Sequence, residues 1–462
     1  MAATSKMDLT TGSIPIQIWK FNLPLILTVM LQTVFHATDV AVVGHFSENA
    51  ENAVAAVGAP GAISSLLLCV FFGMGTGVNV VIAQYMGAKD SQKASRAVHN
   101  SIALGIFCGI LLVIVGCIFG KSMLRLIQTP DNVMDGALLY FIVTLWGMPA
   151  MLVYNFGCAI LRAMGDTKQA MILLTISGVV NMILNMLFVI VFKMDVLGVA
   201  LSTMLSKFLA MVLILRVLQK THGACRFYLG KLWRIDFPIL RKLLYNGIPA
   251  GLQSSCFALA NMLVASAINS FGSSAIAAST VICFAEGSII NAVSSALHQT
   301  MLSFGGQNYG AKKYDRVWKT LKWCVIYAIL LGVSMGGIAH YYLNVWIGWF
   351  INSPGPEVME FARIRSMYML LPCVVSIFQG ISSGALRGLG YSIYPTIAMI
   401  FSVCIFRIWW LTCIYPGHKT FGTVLITYPI SYILTIITCG AGLIYVYRKH
   451  MNPNRKYVLT GQ

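Results

Sequence analysis

The chain has 462 residues, of which 58% are hydrophobic and 10% charged, and its formal net charge is +18. Soluble domains carry about 25% charged residues, so this composition excludes an ordinary soluble protein. Lys and Arg gather in the connections after every second apolar segment, a distribution that orients membrane helices, so we expect membrane lipids rather than nucleic acid as a partner.

A helix of roughly 20 apolar residues crosses a hydrocarbon core of about 30 Å, and segments of this kind recur along the whole chain. Twelve spans are predicted, near residues 22–44, 54–83, 97–119, 136–161, 169–192, 196–218, 242–270, 274–304, 321–348, 358–386, 393–414 and 421–447. They divide the chain into a tail at 1–14, an N-terminal lobe at 15–219, a basic inter-lobe linker at 220–241, a C-terminal lobe at 242–448 and a second tail at 449–462.

The two halves of the chain repeat each other. Matching segments about 225 residues apart are Pro24 and Pro249, Gln84–Lys89 and Gln307–Lys312, and Leu161–Gly165 and Leu386–Gly390. Duplicated bundles of spanning helices are typical of secondary transporters, and an even number of spans in each copy makes the copies parallel. We therefore predict an all-α membrane protein with twelve transmembrane helices in two parallel-repeat six-helix lobes around a central cavity.

The distribution of positive charge also predicts an orientation. We expect both termini and the segments Lys89–Arg96 and Lys312–Lys319 in the cytoplasm. We expect Glu48–Asn52 outside, because its only charged residues are acidic. These features predict a multi-pass protein of the cell membrane that works as a monomer.

Asp39 is the most informative ionisable residue, because it lies well inside the first predicted span. Gln32, His36 and Asp39 fall on one helical face, and a charged stripe of this kind cannot face lipid. A poorly hydrated carboxyl group can exchange a proton or bind a small cation, or it can serve only as a structural hydrogen-bonding group. We favour the functional interpretation, with Gln32 and His36 as cavity candidates.

Four more polar residues could surround Asp39. Asn181 and Asn185 stand one turn apart on the fifth span, Asn155 lies in the fourth and Thr203 in the sixth. Amide, hydroxyl and carboxylate oxygens suit a hard cation such as sodium and can equally hold a protonated acid. Singly, such residues are more often interhelical hydrogen-bonding groups, but together they form a candidate coupling site.

The second half offers further cavity candidates. Glu286 lies in the eighth span and Arg407 in the eleventh, and a pair between them would reduce the cost of burying both charges. Asn261 and His298 complete the set, although a lone membrane histidine is more often a plain hydrogen-bonding group.

Motifs for chemistry are missing from the sequence. It contains no Gly-x-x-x-x-Gly-Lys-Ser/Thr loop, His-Glu-x-x-His helix or Gly-x-Ser-x-Gly elbow, and its 12 cysteines show no zinc spacing. We expect neither an enzyme nor a cofactor beyond a coupling ion, H⁺ or Na⁺.

Several segments, in the same order along nearly the whole chain, resemble multidrug and toxic compound extrusion (MATE) transporters. They are Asp39–Gly44, Gln84–Lys89 with its echo Gln307–Lys312, Arg162–Asp166 followed by Asn181, and Gly198–Thr203. The resemblance implies two six-helix lobes and export driven by a proton or sodium gradient. The chain is more similar to the DinF-like branch than to the NorM branch, because its seventh span has no acid. The DinF-like branch uses the first-span acid with polar groups on the fifth and sixth spans.

Asn185 departs from the DinF-like pattern, since some members carry a second acid there. A single carboxylate favours one exchanged proton over tight sodium binding. The expected function is a cation-coupled antiporter that exports amphipathic, cationic small molecules across the cell membrane by alternating access. Alternatives are a flippase for a lipid-linked sugar, for which Arg407 and Lys207 would supply positive charge, and a membrane receptor or enzyme, for which no extramembrane domain or catalytic cluster is visible.

Overall fold

The computed structural model describes residues 7–46, 50–126, 129, 131–351 and 354–451, and these residues form helices, turns and connections without any β-strand. Within these described residues, eleven helices are long and apolar enough to cross a membrane. A further pair of helices, Asp131–Trp146 and Met148–Ala163, is bent by 47° and makes the twelfth span. The prediction of an all-α, twelve-span membrane protein built from two lobes is confirmed.

We number the spans in chain order, and the bent pair is span 4. The others are span 1, Ile14–Phe46; span 2, Ala50–Gly87; span 3, Ser91–Leu126; span 5, Thr167–Val191; span 6, Asp195–Lys220; span 7, Phe237–Asn269; span 8, Ser273–Gly310; span 9, Tyr314–Tyr341; span 10, Pro356–Gly388; span 11, Ile393–Gly417; and span 12, Phe421–Lys449. The connection at 48–52, which is predicted to face outward, lies partly outside the described residues.

The helix ends show the internal repeat directly. Lys89 and Lys312, which follow spans 2 and 8, both adopt left-handed backbone with φ of 57° and 58°. Gly165 and Gly390, which follow spans 4 and 10, do the same with φ of 81° and 87°. A left-handed residue at this position closes a helix C-terminus by satisfying its last carbonyls. Corresponding segments of the two halves therefore end their helices by the same geometry.

The chain separates into two compact units. Unit 1 contains residues 1–7 and 27–251, and unit 2 contains residues 8–26 and 252–462. Spans 1 and 7 each contribute to both units, since the divisions fall at Leu27 and Leu252. The region boundaries drawn from the sequence stay predictions.

Glycines allow very close helix packing in unit 1. A Cβ atom added to Gly77 of span 2 would lie 2.6 Å from the backbone nitrogen of Gly247 in span 7. A Cβ atom added to Gly109 of span 3 would lie 2.2 Å from the Cα atom of Pro149 in span 4. Membrane helices gain much of their packing energy from such contacts, because lipid offers little hydrophobic drive between them.

The basic segment between spans 6 and 7 is tied to span 3. Asn100 donates a hydrogen bond to the carbonyl of Asp236 at 2.7 Å, and Arg96 forms an ion pair with the Asp236 carboxylate at 2.9 Å. The His99 ring accepts a hydrogen bond from the backbone nitrogen of Tyr228 at 3.0 Å. The predicted linker is therefore an ordered segment that packs on unit 1.

A short N-terminal strap, residues 8–13, is fastened within unit 2. Arg316, at the start of span 9, donates hydrogen bonds to the carbonyls of Leu9, Thr11 and Gly12 at 3.1, 2.5 and 2.8 Å. Leu9 is fully buried. One guanidinium group therefore satisfies three carbonyls of a segment that has no regular structure of its own.

Candidate functional site

The predicted coupling residues meet at one cavity in unit 1. The cavity has a volume of about 310 Å³ and lies among spans 1, 2, 4, 5 and 6. Gln32, Asp39, Asn155, Asn181 and Thr203 all line it. Spans 1 and 5 approach closely beside it, since a Cβ atom added to Gly178 would lie 2.1 Å from the Phe35 ring.

Asp39 is held by a hydrogen-bonded chain from spans 5 and 6. The Asn185 amide donates to the Asp39 carboxylate with 2.5 Å between Nδ2 and Oδ1. The Asn185 carbonyl oxygen in turn accepts a hydrogen bond from the Ser202 hydroxyl. Asn185 and Ser202 are both fully buried. Donor and acceptor of the Asn185 amide are thus both used, which fixes the amide and presents a donor to the carboxylate.

The remaining predicted residues leave polar groups at the cavity. Asn155 donates its amide to the Met151 carbonyl at 2.9 Å. The Thr203 hydroxyl is buried and has no hydrogen-bond partner among the described residues. A buried hydroxyl without a partner is costly, so this atom is suited to contact a bound species.

Lys207 is the positively charged residue of this cavity. It lines the same cavity as Asp39, one turn after Thr203 on span 6. The oxygen donors of Asp39, Asn181 and Thr203 fit a sodium ion by chemistry. The ammonium group of Lys207 in the same cavity opposes a second positive charge. Among the described residues, no group of three His, Cys, Asp or Glu side chains could hold a metal ion.

Sequence reasoning did not find Ser202 and left Lys207 unassigned. Ser202 precedes the predicted Thr203 by one residue, and a sequence cannot show which hydroxyl of such a pair faces span 5. Lys207 carries a clearer signal, because a lysine eleven residues inside an apolar span seldom faces lipid. The side chain of His36 lies outside the described part of the structure.

Unit 2 contains a second cavity of about 500 Å³, and there the structure changes one predicted contact. Glu286 does line the cavity, at a π-helical turn over Glu286–Ile290, but its ion-pair partner is Arg365 of span 10. Arg365 Nε lies 3.6 Å from Glu286 Oε1. The predicted pairing with Arg407 is therefore wrong.

Arg407 of span 11 contacts side chains of spans 7 and 12 and not Glu286. Its guanidinium group donates to Asn261 at 2.7 Å and to the Ser431 hydroxyl at 3.0 Å, and its centre lies 4.4 Å from the Tyr428 ring centroid. Asn261 lines the second cavity as predicted. His298 lies apart from both cavities, hydrogen-bonded to the carbonyl of Gly380 at 2.9 Å.

A family model decides the class of the protein. The model described as MatE matches residues 24–187 and again residues 249–410, so each copy of the repeat is matched from Pro24 or Pro249 onward. The chain belongs to the MatE family. The resemblance to multidrug and toxic compound extrusion transporters is thereby confirmed, and the chain is a multi-pass membrane transporter rather than an enzyme.

Individual relatives agree with the family. The Probable multidrug resistance protein YoeA of Bacillus subtilis is 27% identical over 400 residues, 83% of each chain. The Probable multidrug resistance protein YpnP of the same organism is 28% identical over 67% of this chain and 68% of its own. A solved outward-facing multidrug resistance MATE transporter superposes with a TM-score of 0.86 at 19% identity, covering 98% of this chain and 100% of that one. This last likeness shows the fold.

Proposed function

We propose that this MATE transporter is a proton-coupled antiporter that exports amphipathic, cationic small molecules by alternating access, with Asp39 as the coupling group. One observation carries the proposal. A single carboxylate, fixed by Asn185, lines a cavity between spans together with the amides and hydroxyls of Asn155, Asn181 and Thr203.

The cavity wall supports an amphipathic substrate. Phe35, Phe72, Met151 and Leu174 line the same space as Asp39. Flat or flexible apolar ligands fit such a wall, while the carboxylate attracts a positive charge. The multidrug names of the relatives are consistent with this broad class.

The charge of Lys207 links proton uptake to substrate release. An ionised Asp39 balances Lys207 and adds an attraction for a cationic substrate. When the Asp39 carboxyl group takes up a proton, its negative charge disappears, and the Lys207 ammonium group remains to repel the substrate. Proton uptake and substrate release are thereby linked at one carboxyl group. A single carboxylate offers a sodium ion only one charged ligand, which favours a proton as the coupling ion.

The test is gradient-driven transport by the purified protein in sealed vesicles. With a proton gradient imposed, the wild-type protein should concentrate a fluorescent cationic dye, and the Asp39→Asn variant should not. Asparagine keeps the size and part of the hydrogen bonding but cannot titrate. The matched control is Asp315→Asn: Asp315 is exposed at the start of span 9 and does not line the cavity, so the same loss of one carboxylate there should leave dye transport unchanged.

Lys207→Met provides a second arm. It should retain dye binding but weaken proton-driven release, because the repelling charge is gone. Transport of the dye by Asp39→Asn at the wild-type rate would contradict the assignment of the coupling group. Transport that responds to a sodium gradient and ignores a proton gradient would contradict the choice of ion.

A further inference from the structure

The cavity in unit 2 holds charges that the proposed antiport does not use. It lies among spans 7, 8, 10 and 12, and its volume of about 500 Å³ falls within the range of about 300–1,000 Å³ that is common for small-molecule sites. Glu286 and Arg365 line it, and the side chains that contact Arg407 form part of its wall.

The charges in and directly behind this wall do not cancel. Glu286 is paired with Arg365. Arg407 is fully buried, and its hydrogen-bond partners among the described residues, Asn261 and Ser431, are neutral. Two guanidinium groups against one carboxylate leave one positive charge. An uncompensated charge inside a membrane protein is costly and is retained where it has a use.

Three residues in the wall of the cavity, Asn261, Ser279 and Arg365, carry hydrogen-bond donors. Because the Asn261 carbonyl oxygen accepts from Arg407, the amide NH₂ of Asn261 is the part left to contact a ligand, and the neighbouring charge polarises it. Arg365 Nε and Glu286 Oε1 lie 3.6 Å apart, an ion-pair distance, and each is buried without a hydrogen-bond partner among the described residues, while Arg365 Nη2 donates to Cys283 Sγ at 2.8 Å. The Ser279 hydroxyl, also in the wall, is buried and has no partner among the described residues.

Aromatic side chains complete the wall. Phe257, Tyr368, Tyr428 and Tyr432 line the cavity. Three of them, Phe257, Tyr428 and Tyr432, lie with their ring centroids 5.7, 4.4 and 5.5 Å from the guanidinium carbon of Arg407. Such rings offer stacking surface to a flat ligand, and the cation behind them increases the attraction for negative charge.

We propose that this cavity is a second ligand site, and that it takes organic anions with an aromatic body, such as aromatic carboxylates. The oxyanion would accept from Asn261 and Arg365, and its charge would balance Arg407. The proposal goes beyond cation export and does not depend on it, since no residue of the Asp39 cavity takes part.

Equilibrium dialysis of the purified full-length protein in detergent, against labelled naphthoate, tests the proposal. Naphthamide and naphthylmethylamine give a neutral and a cationic ligand with the same ring system, and protein-free detergent gives the background. Naphthoate should bind more tightly than naphthamide by about tenfold, the worth of one charge-assisted hydrogen bond, and the amine should bind most weakly.

Variants separate the site from general hydrophobic binding. Asn261→Leu should weaken naphthoate binding by about tenfold for the same reason. Glu286→Gln should strengthen it several-fold, because the cavity then loses its one negative charge. This gain cannot come from misfolding. Asp39→Asn should leave naphthoate binding unchanged even where it abolishes dye transport, so failure of the antiport proposal is distinguishable from failure of this one.

Three results would overturn the proposal. They are equal affinity for the carboxylate and the amine, weaker naphthoate binding in Glu286→Gln when that variant keeps the helical circular dichroism of the wild-type protein, or naphthoate binding that is lost in Asp39→Asn while Asn261→Leu retains it.

Discussion

Alanine at Gly77 should destabilise unit 1, although alanine is the better helix former. The added Cβ would lie 2.6 Å from the Gly247 nitrogen and 2.7 Å from the Leu243 carbonyl oxygen. Ordinary contacts of this kind lie near 3.5 Å or more, so spans 2 and 7 must separate by roughly 1 Å. Both contacted atoms belong to the backbone, so no side chain can rotate away to relieve the clash.

The magnitude follows from two opposing effects. Overpacking costs about 1–3 kcal/mol. Replacing a helical glycine by alanine returns about 0.5–1 kcal/mol. The net destabilisation should be on the order of 1–2 kcal/mol.

Gly440 of span 12 gives the matched control, because a Cβ there meets no atom within 4 Å. Gly440→Ala should therefore be neutral or stabilising. The assay is reversible unfolding of the purified protein by titration with sodium dodecyl sulfate, read by helical circular dichroism. If Gly77→Ala is as stable as Gly440→Ala, the close backbone approach of spans 2 and 7 is refuted.

Three further predictions concern other parts of the molecule. In a double-mutant cycle, the effects of Glu286→Gln and Arg365→Gln on the free energy of unfolding should be non-additive, because removing one partner of a buried pair costs about 3–5 kcal/mol. Additive effects would mean that the two side chains do not interact. Partial burial acts to raise the pKa of Asp8, but hydrogen bonds from Thr10 hold it below its usual 3.8. The ionised Asp8 carboxylate should therefore stabilise the strap above the usual pKa, and the strap should loosen as the pH falls through the lowered pKa of Asp8. Amide exchange near Leu9 should then become faster in acid, and Asp8→Asn should remove this pH dependence. Finally, we propose that Lys312–Lys319 is cytoplasmic, so a cysteine placed at Asp315 should resist an impermeant reagent added to whole cells; strong labelling there would contradict the orientation.

The spans and the first cavity could be predicted because each depends on local pattern. Apolar length decides where a span lies, and Asp39, Asn181 and Asn185 were recognisable as polar groups on defined helical faces. The bend in span 4 does not follow from apolar length, but the sequence carries a local signal for it, because Gly147 precedes the second helix and Pro149 stands in its first turn. From the sequence, residues 136–161 are predicted as one continuous span.

The partner of Glu286 could not be predicted, because the choice depends on how spans 8, 10 and 11 are rotated about their axes. Arg365 lies near the start of span 10 beside Arg363, and the sequence gives the two the same character. In the structure Arg365 is buried and Arg363 is exposed. The sequence carries a weak signal, because Ala362, Arg365 and Ser366 share one helical face by their spacing. All three are buried in the structure, so Arg365 is the inward-facing arginine.

The internal repeat helps to explain why the two cavities differ. Segments that end helices are retained in both copies, as at Gly165 and Gly390. The charged residues that line the cavities are not. The position 225 residues after Asp39 is Val264, and the position 225 residues after Lys207 is Tyr432, one of the rings beside Arg407. The duplicated scaffold thus keeps its helix ends while its cavities carry different charges. A carboxylate with a lysine suits the proposed exchange of a cation for a proton, and two guanidinium groups with one carboxylate suit the proposed anion, so we expect the two sites to take different ligand classes.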